Sequence, residues 1–297
     1  MQTIFTQVII MFLLAGVGAV LFRTKKLSVE GNKSIGNILI YLSLPAVIIQ
    51  SFLVERTPQR TLGLAISAVG ALLSLLLSIA ISRIFFKKDS VAQFAASFSN
   101  PGFFGIPIIT ACLGSDCVFY IAAYIALLNL FQWSYGVSIL TGNQDRFPWN
   151  KLLKAPFLIA IILGLLLYFT QLQLPRILTN SISLLAGLNT PLAMFVVGVY
   201  LAQINWRSCI RRIALLRISV VKLLIVPAVT LILLLCLPHA FADLKFVLLI
   251  AAACPSGSNI VVYAQLHNCD AQYASETVVV TTLLSILTIP LFSHFLF

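Results

Sequence analysis

Residues Ser99 to Pro107 read SNPGFFGIP and residues Pro255 to Asn259 read PSGSN, each a short polar interruption of apolar sequence. Asn100, Ser256, Ser258 and Asn259 offer amide and hydroxyl hydrogen-bond donors. Pro101, Gly102, Gly105 and Pro107 in the first stretch, and Pro255 and Gly257 in the second, disturb any helix running through them, and Phe103 stands among them as a candidate contact. Backbone freed in this way adds its own N–H donors to those of the side chains. The chemistry on offer is non-covalent binding of an anion, and a carboxylate matches such donors well. Covalent catalysis fits poorly. Ser256 or Ser258 would need a base within reach, and His267 lies about two turns or more along the same helix, so no enzymatic activity is expected.

The medium around these residues follows from composition. The chain has 297 residues, 60% of them hydrophobic and 9% charged, against about 25% charged in a typical soluble domain. With a mean hydropathy of +1.05, this is the profile of an integral, multi-pass membrane protein: residues 1–297 form a single transmembrane domain. The formal net charge of +11 does not point to nucleic acid, because the basic residues sit between apolar runs, where orientation signals belong. Six cysteines without a CxxC pair read as packing residues, and three widely separated histidines give no metal site, so no cofactor is expected. The first apolar run, Thr3 to Phe22, lacks a basic leader and reads as a retained helix rather than a signal peptide.

Apolar runs of about 20 residues predict ten spans. They are Thr3 to Phe22, Ser34 to Val54, Thr61 to Ser82, Val91 to Leu113, Cys117 to Leu140, Leu152 to Thr170, Asn180 to Gln203, Ile213 to Leu237, Leu244 to Leu266 and Tyr273 to Phe297. Arg23, Lys25, Lys26, Lys33, Arg83, Lys87, Lys88, Arg146, Lys151, Lys154, Arg207, Arg211, Arg212 and Arg217 follow the odd spans 1 to 7. The other side holds only Arg56, Arg60, Arg176 and Lys245. The positive-inside rule then puts both termini outside, and in a bacterium the membrane is the cytoplasmic (inner) one.

Ten spans divide into residues 1–140 and 152–297, and five spans per half force the halves to enter from opposite faces, as an inverted repeat requires. The prolines follow that division. Pro45 sits in mid-span 2 and Pro191 in mid-span 7, while span 4 breaks at Pro101 and span 9 at Pro255. Pro156, Pro227 and Pro290 read as ordinary membrane-helix kinks. Irregular backbone is tolerated in a bilayer only where protein or a water-filled cavity surrounds it. With opposite directions of travel, the second halves of spans 4 and 9 put their N-termini, each worth about +0.5 of a charge, at one central point. An anion site there is the consequence.

Other polar residues lie at similar depth. Asn129 and Gln132 share one face of span 5, either as interhelical glue or as ligands. Tyr41, Ser43, Gln50, Asn189 and Thr190 are open to the same two readings. Lys222 is the basic residue deep within a span; snorkelling toward Arg217 competes with attraction of anions. All eight acidic residues fall in loops or near span ends, which disfavours a mid-membrane carboxylate relay. Export of a monovalent anion needs no such relay, since 100 mV negative inside favours exit by ~2.3 kcal/mol.

NPGFFGIP in span 4, LPAVIIQSF in span 2, Pro191 to Gly198 in span 7 and PSGSN in span 9 together resemble the auxin efflux carrier family, in its bacterial branch. The resemblance covers nearly the whole chain. It implies an all-α fold of ten spans in a 5+5 inverted repeat with broken, crossing spans 4 and 9, similar to bile acid sodium symporters. Spans 1, 2, 6 and 7 would form a scaffold and spans 3–5 and 8–10 a transport subdomain, with homodimers and an elevator-like alternation of access. It implies a substrate contact at Asn100 and at the residues flanking Pro101 and Pro255, and a small organic anion as substrate. Plant members carry a long loop between spans 5 and 6, whereas Thr141 to Lys151 is short here, so regulation through that loop is not implied. A sodium- or proton-coupled symporter on the same fold, and a membrane receptor or assembly subunit, are the competing readings.

Overall fold

The computed structural model describes residues 2–142, 154–204, 209 and 212–295. Arg146, Lys151, Leu152, Arg207, Arg211 and Phe297, used above to place loops and span ends, lie outside the described residues. The helices are α1 (Gln2–Arg23), α2 (Val29–Phe52), α3 (Pro58–Phe85), α4 (Ser90–Ser97), α5 (Pro101–Leu113), α6 (Ser115–Thr141), α7 (Pro156–Thr170), α8 (Arg176–Gln203), α9 (Ile213–Leu235), α10 (Ala242–Ala253), α11 (Asn259–Leu266) and α12 (Ala271–Ser293). Seven of these, α1, α2, α3, α6, α8, α9 and α12, are long and apolar enough to cross a bilayer. Span 4 is divided into α4 and α5, and span 9 into α10 and α11, at the residues where the sequence places breaks.

Local chemistry fixes the helix starts. Thr57 caps α3 by accepting from the Arg60 N–H, with Pro58 in the first turn where a missing donor costs nothing. Asp89 caps α4 from Ala92 N–H at 2.9 Å, and Asp270 caps α12 from Tyr273 N–H at 2.8 Å. Pro156 opens α7 rather than kinking it.

Among the described residues there are four π-helical turns: Leu39–Ser43, Gln132–Gly136 and Val221–Ile225 interrupt α2, α6 and α9, and Pro101–Gly105 opens α5. Three of them end two residues before a proline, namely Pro45, Pro107 and Pro227. In each, the residue just before the proline donates to the carbonyl five residues earlier, Leu44 to Leu39, Ile106 to Pro101 and Val226 to Val221, a widened turn ahead of the position that lacks a donor. Pro227 thus follows a π turn and not a plain kink, and that turn carries Lys222.

Two sets of helices pack around the breaks. In one, α1 lies against the second half of α8 with backbones nearly touching. A Cβ on Gly198 would collide with the Ala15 carbonyl, and one on Gly18 would meet Phe195 backbone. Small residues permit this approach, which gains close van der Waals contact where lipid provides no hydrophobic drive. In the same set α2 packs on α7 and on the first half of α8, where the Ser43 hydroxyl donates to the Leu185 carbonyl at 3.0 Å just before α8 breaks at Leu188. The other set gathers α3, α4, α6, α9, α10 and α12. Every residue of α10 from Leu244 to Ala253 is buried, Lys245 included, as its all-round apolar sequence requires.

Candidate functional site

The two breaks meet. Phe98 leaves α4 in extended conformation, and the segment from Phe98 to Asn100 pairs antiparallel with the one leaving α10, Cys254 to Gly257, through a single bridge between Ser99 and Ser256. Asn100 N–H donates to the Pro255 carbonyl at 2.9 Å, and Gly257 N–H donates to the Phe98 carbonyl at 3.0 Å. Backbone groups released by the prolines thus satisfy one another, which is how unwound chain survives away from water. Gly257 sits in tight space: a Cβ there would stand 3.0 Å from the Ser99 carbonyl oxygen, and the bridge would have to shift to admit it.

A cavity of about 640 Å³ opens beside this joint. The sequence-predicted residues Asn100, Pro101, Gly102, Phe103, Gly257, Asn259 and Asn129 line it. Its polar side chains include the amides of Asn37, Asn100, Asn129, Gln132 and Asn259, together with one ammonium, Lys154. No carboxylate stands among the described lining residues. Neither α5 nor α11 has a side chain capping its first turn; backbone carbonyls take part of that role, Asn100 accepting from Phe104 N–H, and Gly257 and Ser258 accepting from Ile260 and Val261 N–H. Trp133 and Tyr263, packed edge to face with ring centres 5.8 Å apart, form part of the apolar wall.

The amides divide into free and committed. Asn100 makes no side-chain hydrogen bond to the described protein and is half-buried at the cavity wall. Asn129 donates to the Ile125 carbonyl of its own helix at 2.8 Å, so it is not the interhelical glue weighed above. Gln132 takes that role, accepting from the Asn259 amide at 3.1 Å.

Four residues expected at the site lie in the joint behind the cavity. Ser256 is fully buried, its hydroxyl donating to the Ala95 carbonyl at 2.8 Å and its N–H to Thr281 Oγ1 at 3.2 Å. Pro255 contributes its carbonyl to Asn100. Ser258 is buried ahead of α11, and its carbonyl accepts from Val261 N–H. A Cβ on Gly105 would lie 3.4 Å from Cys254 Sγ, so this glycine seats α5 against the end of α10. The reason is topological: Ser256 sits at the bridge to Ser99 with its side chain turned to the Ala95 carbonyl of α4, a direction set by the pairing of two distant segments and not by composition.

Lys222 does not snorkel. It is 1% exposed, and its Nζ donates to the Ala252 carbonyl at 3.4 Å. Lys154 was legible only as an orientation charge; its place just ahead of Pro156 brings it to the cavity mouth.

A second cavity, about 390 Å³, lies between α2, α5 and α8 and is lined by Gln50, Ser51, Thr110, Ser115, Ser183 and Asn189 among others. Ser115 opens α6 and Lys154 belongs to the connection after it, so the two cavities reach toward opposite ends of that helix. Between them, Asn189 Nδ2 donates to the Gly102 carbonyl at 3.1 Å, while Asn189 Oδ1 is buried without a partner.

The family model described as membrane transport protein matches residues 3–148 and 141–293. Among relatives, a protein of Rhizobium meliloti (strain 1021) named "Putative malonate transporter" is 25% identical over 273 residues, 86% of this chain and 84% of its own length. Auxin efflux carrier component 2 of Oryza sativa subsp. japonica is 29% identical over 158 residues, 50% of this chain and 24% of the plant protein. An "Uncharacterized transporter" of Methanothermobacter thermautotrophicus is 28% identical over 204 residues, 67% of this chain and 65% of its own. Matched along nearly its whole length, with seven helices able to cross a bilayer, the chain is an integral multi-pass membrane protein belonging to the membrane transport protein family, that of the auxin efflux carriers.

Proposed function

We propose that the protein is a secondary carrier for a small organic anion, a carboxylate, working by elevator-like alternating access in the direction of efflux or facilitated transport. The observation that carries this reading is the cavity at the crossover: five amides and one ammonium line it with no described carboxylate among them, at the starts of α5 and α11, which no side chain caps. Asn100 and the N–H groups of α5 are the primary contacts, with Asn129, Asn259 and the backbone around Gly257 completing the site. An anion entering there meets donors already oriented, so little ordering entropy opposes binding.

Alternating access follows from the wall between the cavities. One hydrogen bond, Asn189 to Gly102, joins the α1, α2, α7, α8 set to α5 where the larger cavity ends and the smaller begins. In this reading the first set is the scaffold, the second carries the site past it, and the fold is a ten-span 5+5 inverted repeat. Homodimers in the bacterial inner membrane, with both termini outside, complete the assignment. Malonate is the first substrate to test, given the name of the Rhizobium relative.

The experiment is counterflow in proteoliposomes loaded with unlabelled malonate and diluted into labelled malonate, repeated with monocarboxylates. Saturable uptake, weakened at subsaturating substrate in Asn100→Ala, is expected. Uptake of no carboxylate above protein-free vesicles refutes the reading.

A further inference from the structure

The C-terminal ends of the two interrupted helices are treated differently. At the end of α4, the Ser78 hydroxyl donates to the Ser97 carbonyl at 2.7 Å and reaches the Ala96 carbonyl at 3.3 Å, and Ser82 bonds Ser97 Oγ. Neutral hydroxyls suffice there. At the end of α10, the corresponding group is the ammonium of Lys222 on the Ala252 carbonyl. Both donors come from long helices flanking the crossover, Ser78 from α3 and Lys222 from the π turn of α9.

A buried ammonium is expensive, more so at membrane depth, unless something compensates it. No salt bridge to a carboxylate exists for Lys222 among the described residues. Its compensation is the negative end of α10, where the last carbonyls lack intrahelical donors and the macrodipole amounts to about −0.5 of a charge. Such half-helix C-terminal carbonyls are also the groups that coordinate coupling cations in carriers with broken helices.

We propose that Lys222 is a built-in cation: its ammonium takes the place at the α10 terminus that a co-bound sodium ion would otherwise occupy, so that the crossover holds its anion without a coupling metal ion. The inference rests on the anion-carrier reading for its consequence in transport, but the cation site itself is testable without any substrate. Lys222 lines neither cavity, so its charge acts on the anion through the joint rather than by contact. Lys222 lies within the π turn that ends two residues before Pro227, and from there its ammonium reaches the Ala252 carbonyl.

The test is thermal unfolding of the purified full chain in sodium chloride against choline chloride at matched ionic strength, for wild type, Lys222→Gln and Lys222→Met. Wild type should unfold at the same temperature in both salts. Lys222→Gln, with a carbonyl oxygen in place of the ammonium, should lose several degrees in choline and recover them saturably with sodium. Lys222→Met should lose stability with weaker recovery. Saturable stabilisation of wild type by sodium overturns the proposal without recourse to any variant. So does a Lys222→Gln variant that responds alike to both salts, and so does failure of both variants to fold in sodium, because an emptied cation site should accept the metal ion. In proteoliposomes, sodium-dependent uptake by Lys222→Gln against sodium-independent uptake by wild type is the matching result. If no carboxylate is carried at all, the carrier reading fails while the unfolding result stands on its own.

Discussion

The two halves of the crossover share a backbone plan and differ in how their side chains are committed. At the α4–α5 break, Asn100 spends only its backbone N–H on the joint and leaves its amide at the cavity wall. At the α10–α11 break, the Ser256 hydroxyl, the Asn259 amide and the Ala252 carbonyl are all tied to neighbours, to Ala95, Gln132 and Lys222. One break is a hand left open and the other is the anchor that holds it in place. Symmetric geometry with asymmetric bonding means that equal substitutions on the two sides should have unequal effects: on the first side affinity should fall, and on the second stability.

The largest effect should come from the backbone plan itself. Gly257→Val puts a branched Cβ at 3.0 Å from the Ser99 oxygen, a backbone atom that cannot step aside without parting the bridge. Loss of the two flanking hydrogen bonds together with the overpacking should cost about 3 kcal/mol or more, visible as a large drop in thermal stability and loss of the monodisperse species on size exclusion. A stable variant with normal transport would show that the bridge does not hold the joint together.

Asn100→Ala comes next. Removing a donor to a charged acceptor costs about 1.5–3 kcal/mol, which is on the order of ten- to a hundredfold in affinity. Isothermal titration or subsaturating counterflow measures this, while the unfolding temperature should change little, since the Asn100 amide has no described protein partner. Asn259→Ala should invert the pattern. It leaves Gln132 Oε1, a buried acceptor, without its donor, for about 1–2 kcal/mol of stability and a smaller loss of affinity. If Asn259→Ala weakens binding more than Asn100→Ala at unchanged stability, the assignment of open and anchored breaks is reversed.

What the sequence reveals follows the same line. The breaks at Asn100–Pro101 and Pro255 are legible because proline and glycine act on their own local backbone, and span positions are legible because bilayer thickness and charge impose them, though helix ends differ, as at Val29 against the expected Ser34 and Arg176 against Asn180. Side-chain direction at the joint is not legible. Ser256 and Asn100 look alike as polar residues beside a proline, and only the antiparallel pairing, a contact between residues 157 positions apart as for Ser99 and Ser256, separates them. The π turns are half legible. Pro45, Pro107 and Pro227 mark three, but Gln132–Gly136 has no proline and depends on tertiary packing, with Gly136 pressed against the rings of Phe94 and Phe98. Lys222 shows the limit most clearly. It is buried against the end of α10, whose Ala252 lies 30 residues further along the chain.

The smallest expected effect concerns the cavity mouth, which lies apart from both breaks and therefore sharpens the comparison. Lys154 is exposed and lines the cavity as its described cation. Contributing long-range attraction rather than a desolvated contact, it should influence substrate entry more than residence. Lys154→Gln should lower the initial rate of carboxylate binding a few-fold at low salt, with the difference vanishing as ionic strength rises and the Debye length falls to about 8 Å or less. Stopped-flow mixing followed by tryptophan fluorescence can measure this, since Trp133 lines the same cavity. A salt-independent loss as large as that of Asn100→Ala would place Lys154 in direct contact with the anion, and the division of labour between the two breaks would have to be extended to the loop before α7.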